Sequence, residues 1–201
     1  MKKHQKTNAS QLPEPKKSKQ KQPKSSQSKP KKSKSKRARL NALIRKSAAK
    51  PSSDPKILLH PQIPEPMHGL APRVILGAKW WDKTRRAAYK ENAYHCAACG
   101  VFKLQARFRQ WLEGHELYEV DYLQGRLYYL RTVPLCHCCH NYIHNGRLLW
   151  LLENNEVTHA KYAAILGHGD AVLRAANLKK PKPYDGPVPT REDWRLVLFG
   201  K

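Results

Sequence analysis

The chain has 201 residues, with 39 Lys/Arg against 15 Asp/Glu and a net charge of +24, which is length enough for one modest domain with extensions but not for two full ones. The charge is uneven: residues 1–50 hold 18 Lys/Arg and the single acid Glu14, hence +17 of the total, leaving +7 for residues 51–201. No apolar run approaches the length of a membrane span and no signal-peptide core follows Met1, so a soluble intracellular protein is expected, cytoplasmic if bacterial or phage-encoded and nuclear if eukaryotic.

Residues 1–50 are mostly Lys, Ser, Gln and Pro, with almost no large apolar side chain before Leu40. Such a segment buries too little surface to offset the entropy of ordering, so a disordered tail is expected. A free cationic arm binds phosphates by counterion release, with little sequence preference. Its run Lys31–Arg39 also has the composition of a nuclear localisation signal.

Residues 51–78 are Pro-rich and read as an extended connection that packs over the domain without regular structure. Lys79–Asn92 has a helical pattern in which Trp81, Thr84 and Ala88 share one stripe. A tight turn follows from Tyr94 to Gly100, where Gly100 supplies the positive φ that such turns need. Trp111–Tyr122 and Arg126–Val133 flank Gln124-Gly125 and predict a hairpin. A helix should start directly after Cys136 and end at Asn145-Gly146 as a left-handed cap. Further helix is expected around Thr158–Asn177, interrupted near Gly167 and Gly169, with a Trp194 segment packing last.

Five cysteines fall at 96, 99, 136, 138 and 139. An odd number in two tight clusters is poor disulfide arithmetic and better metal arithmetic. Cys96, Cys99, Cys136 and Cys139 form two Cys-x-x-Cys pairs, 36 residues apart. Four soft thiolates in paired turns favour a closed tetrahedral zinc site with a structural role, Cys138 being spare. His140 and His144 stand one helical turn apart, so both imidazoles leave one face as a half-site for a divalent cation. His115 lies in the first predicted strand between Glu113-Gly114 and Glu116. Alternation puts Trp111, Glu113, His115 and Leu117 on one face and Gly114 and Glu116 on the other, with Gly114 leaving room for a close approach.

Together, Cys96-x-x-Cys99, His115 and Leu135-Cys-x-x-Cys-His-x-x-x-His144 resemble the zinc-bound variety of the His-Asn-His (HNH) endonuclease family over about Trp80 to Gly146. The resemblance implies an α+β protein with a small zinc-anchored ββα-metal core, in which a hairpin and a helix cradle one divalent cation. It implies His115 as general base and His140 and His144 as ligands of a catalytic Mg2+, Mn2+, Ni2+ or Zn2+. Two positions depart from the family pattern. Gly114 stands where an Asp ligand often precedes the strand histidine, with Glu113 or Glu116 as candidate substitutes and Glu116 a possible metal ligand. Arg131 stands where the middle Asn is expected.

The expected organisation is a basic tail over 1–50, a connection over 51–78, an HNH-like core over 79–146 and a helical extension over 147–201. Arg85, Arg86, Arg107, Arg109 and Arg131 are the candidate phosphate contacts. The function expected is metal-dependent cleavage of nucleic acid, DNA in preference to RNA. Two other readings stand beside it: a non-catalytic zinc module that binds nucleic acid through a degenerate fold of this kind, and a basic RNA- or ribosome-associated protein. The three histidines favour the first, since a module that only binds needs none of them. Oligomeric state is open.

Overall fold

The computed structural model describes residues 51–199, and the expected basic tail lies outside them. The fold is α+β. Among the described residues it holds five helices and one three-stranded sheet, and no helix is long and apolar enough to cross a membrane.

The connection is not structureless. Prolines at the first positions of short helical turns supply a φ already suited to a helix, and two 3-10 turns (Pro55–Leu59, Glu65–Met67) and helix α1 (Pro72–Ile75) form there. Asp54 caps the first turn by accepting the Lys56 amide at 2.9 Å. Ile57 and Leu58 enter the main core and Met67 a smaller one with Leu127 and Trp194. Helix α2 (Gly77–Glu91) buries Ala88 and half-buries Trp81 and Thr84, the stripe that its spacing predicts.

Strands β1 (Glu113–Asp121) and β2 (Arg126–Leu135) form the hairpin, with a bulge between Leu117 and Tyr118. Trp111 is exposed and precedes β1 rather than belonging to it. At the turn, Asp121 Oδ1 accepts the amides of Leu123 and Gln124 at 3.1 and 2.9 Å, and Gly125 takes φ +64°. The short β3 (Arg195–Val197) adds parallel to β2.

Helix α3 (His137–Ile143) starts where expected, because Cys136 is its cap: the sulfur accepts the Cys139 amide at 3.5 Å. Its end differs. Asn145-Gly146 do not form a left-handed cap but open a second helix, α4 (Asn145–Glu153). The apolar run behind them buries Leu148 completely, and packing of that kind outweighs a glycine's cost in a helix. Helix α5 (His159–Ala175) likewise runs through Gly167 and Gly169 without interruption. Gly169 is a contact residue, not a breaker: a Cβ there would collide with the Tyr142 ring of α3. Tyr142 also donates its hydroxyl to Asp170 at 2.8 Å, which fixes α3 against α5.

Candidate metal centre

Two groups of side chains that could hold a metal ion share helix α3. In each, every candidate ligand atom is within 4.8 Å of the others: Cys96, Cys99, Cys136 and Cys139 in one, His115, His140 and His144 in the other.

Backbone bonds build the cysteine group. The Cys96 amide bonds the Val101 carbonyl and the Gly100 amide the Cys96 carbonyl, both at 2.9 Å, with Gly100 at φ +73° as the turn requires. The Ala97 amide reaches the Pro134 carbonyl at 2.7 Å, which brings this turn against the end of β2. Zinc–thiolate bonds of about 2.3 Å imply sulfur–sulfur edges near 3.8 Å in a tetrahedron. The Cys99–Cys136 sulfurs are 3.8 Å apart. Mutual hydrogen bonding drives the four thiols apart in acidity: Cys136 and Cys139 push Cys99 down, while Cys136 and Cys96 push Cys139 up. Thiols so close shed all their protons only when a cation takes the charge, and this donor set fits zinc. His168 of α5 approaches the Cys139 sulfur at 3.4 Å, a partner that its place in an apolar helix did not announce. Cys138 is buried outside the group, and burial pushes its thiol up to about 11, so it is an inert packed thiol.

The histidine group joins a strand to a helix. His115 and Glu113 leave the same face of β1, toward α3, as two-residue alternation dictates. His140 lies in α3 and His144 caps it, their rings 4.7 Å apart and 5.5 and 5.1 Å from the His115 ring. Glu113 Oε2 accepts from His140 Nδ1 at 2.7 Å, and Oε1 from His137 Nδ1 at 2.8 Å. With Nδ1 turned to this carboxylate, Nε2 is the ring nitrogen left to face a cation, the arrangement found where a carboxylate orients a metal-bound imidazole. Burial raises the Glu113 pKa, but the bonds to His137 and His140 outweigh it and keep the carboxylate well below its usual range. Asn141 donates to the His137 carbonyl at 2.8 Å and steadies this arrangement from behind.

His115 is 3 % exposed and its Nε2 has no hydrogen-bond partner. Burial, then the charges of His60 and His140, drives its pKa well below the ordinary value, so its imidazole is neutral. His144 as a whole residue is exposed, yet desolvation of its ring among the others lowers it to about 3. Neutral imidazoles are what a cation needs, and an orphaned buried nitrogen is what a missing ligand leaves, so the group fits a divalent cation.

A fourth imidazole comes from the connection. The His60 ring is 4.7 Å from His115 and meets it edge to face. Its Nδ1 donates to the Pro61 carbonyl at 2.9 Å, so its equally unpartnered Nε2 carries a lone pair. No periodicity or motif marks His60 in the sequence; a proline-rich stretch gives no register.

Glu116 is not brought to the group. It leaves the opposite face of β1 and is paired with Arg73 of α1. The five predicted phosphate contacts are scattered. Arg85 and Arg86 bond Asp82 at 2.5 and 3.3 Å, and Arg107 lies over Phe108. Arg131 is exposed on β2, and only Arg109 approaches the histidines, 3.7 Å from Glu113. Comparison with protein-family models, curated proteins and solved structures finds no match for the chain.

Proposed function

We propose that this chain is a metal-dependent endonuclease of the HNH type that hydrolyses phosphodiester bonds of nucleic acid, DNA in preference to RNA. The observation that carries the reading is the convergence of His115 from a strand with His140 and His144 from the following helix. Three imidazoles meet there at one partly open point, His115 and His144 held neutral by burial. Under this reading His140 and His144 hold one divalent cation, while the four cysteines hold zinc for the fold. The cation supplies Lewis-acid stabilisation of the negative charge that builds on the phosphate. His115 takes the proton from the attacking water at its unpartnered Nε2, a task that needs a neutral imidazole within reach. Glu113 holds His140 in the tautomer and orientation that ligation requires.

One observation favours a variant of this scheme. The His115 ligand atom belongs to the same tight group as those of His140 and His144, so His115 also has the position of a third ligand. His60, unpartnered at Nε2, is then the imidazole left to take the proton.

Purified protein is incubated with supercoiled plasmid and with single-stranded RNA, with and without Mg2+, Mn2+ or Ni2+, beside His115→Ala. Metal-dependent nicking should fall by about 10²–10⁴-fold in the variant. Retention of the second metal by His115→Ala assigns it as base, and loss of that metal assigns it as ligand. Salt-sensitive binding without cleavage under any metal overturns the nuclease reading in favour of a binding module.

A further inference from the structure

A cleft of about 1020 Å³ opens directly off the histidine group, with His60 and His144 in its wall. It is lined by the connection around Leu59–Ile63, by residues 143–147 at the junction of α3 and α4, and by the segment Lys180–Asp185. Three cations line it, Arg147, Lys180 and Lys182, against one carboxylate, Asp185. None of the three makes an ion pair among the described residues, although Lys180 also rests over the Tyr142 ring at 4.9 Å. Lys180 and Lys182 each precede a proline, which restricts their backbone to extended conformations.

An aromatic pair also lines the cleft. Tyr122 and Tyr184 stack at 4.2 Å with their planes 6° apart. Both hydroxyls are pinned, Tyr122 to the Gln62 carbonyl at 2.8 Å and Tyr184 to that of Pro187 at 2.9 Å. Tyr184 is 37 % exposed, so a ring fixed this way offers surface on which a nucleobase can stack. One cleft wall thus combines imidazoles of the metal-ligating group, unpaired cations and an aromatic pair.

We propose that this cleft binds single-stranded nucleic acid, seating backbone phosphates on Arg147, Lys180 and Lys182 and a base on the Tyr122–Tyr184 platform, so that the strand leads into the histidine group. This rests on the nuclease reading and names its substrate as a single strand or an unpaired segment. The volume lies at the top of the roughly 300–1,000 Å³ range of small-ligand sites, which suits a few nucleotides and is far too small for a duplex. An acidic peptide would satisfy the lysines but leave the tyrosine face without purpose.

The test is photocrosslinking of the full-length protein, without added divalent cation, to a short single-stranded DNA carrying 5-iodouracil, with crosslinked residues mapped by mass spectrometry. Crosslinks at Tyr184 are expected, displaced by unlabelled single strand and about tenfold less well by blunt duplex or polyglutamate. Tyr184→Ala and the exposed-site variant Lys182→Glu should each reduce cleft crosslinking about tenfold, with zinc content and melting temperature unchanged. Crosslinks confined to residues 1–50, or equal displacement by duplex or polyglutamate, overturn the proposal. Metal-dependent cleavage of plasmid or of single-stranded DNA without cleft crosslinks removes the cleft and leaves the nuclease; cleft crosslinks without cleavage of either under any metal do the reverse.

Discussion

The cysteine group and the histidine group share one helix of seven residues, yet they are built for opposite ends. Cys96, Cys136 and Cys139 are at most 2 % exposed, whereas the histidines grade from buried His115 through half-buried His140 to exposed His144. Four thiolates fill a tetrahedral cation and leave no place for a substrate; three imidazoles leave positions open. Supports differ in the same sense. Backbone bonds hold the cysteines, while a carboxylate side chain, Glu113, meets the histidine group at His140. Cys136 caps the helix that carries His140 and His144, so the closed site sets the position of the open one and not the reverse.

That dependence predicts the largest effect. Removing zinc with a chelator, or replacing Cys139 by Ser, should unfold the domain, since structural zinc contributes on the order of 10 kcal/mol to such folds. A thermal melt followed by circular dichroism, with metal content measured alongside, should show the cooperative transition lost together with metal binding at the histidines. His140→Ala should leave the transition in place. A chelated protein that still melts cooperatively and still binds Mn2+ or Ni2+ would break the hierarchy.

An intermediate effect belongs to Glu113. Glu113→Gln keeps the shape but removes the charge that holds His140 Nδ1–H, and such outer partners are worth about 10–100-fold in metal affinity. Titration of Ni2+ into zinc-loaded protein should show that loss at the second site with zinc content unchanged. Equal affinity in wild type and variant would mean that His140 is oriented by something other than Glu113.

Legibility in the sequence follows the same divide. The cysteine spacing identifies its group unaided, because thiolate ligation has a local signature and Gly100 marks the turn. His140 and His144 are legible as a pair through helical spacing, and His115 through strand alternation. His60 and the C-terminal side of the cleft are not, because proline-rich segments have no period from which to infer a facing direction. Asn145-Gly146 and Gly169 mislead for a different reason: local propensity reads them as breaks, while burial of Leu148 and the approach of Tyr142 decide the outcome. Glu116 is adjacent in sequence to the strand histidine but turned to the other face, where Arg73 holds it.

The smallest effect tests why the residue before that histidine is glycine. A Cβ at Gly114 would lie 2.9 Å from the Trp81 ring and 3.0 Å from Arg85 Cβ, so it points at helix α2 and not at the histidines. An Asp there cannot serve as a ligand without turning the strand over, which would also carry His115 and Glu113 out of the site. Gly114→Ala and Gly114→Asp should therefore each cost about 1–2 kcal/mol through overpacking, a drop of a few degrees in melting temperature. Neither should raise metal affinity at the histidines. Trp81→Ala in the Gly114→Ala background should recover part of the loss, because the clash is with that ring. Tighter metal binding in Gly114→Asp would show instead that the strand can present this position to the cation, and that the glycine is an absent ligand and not a packing residue.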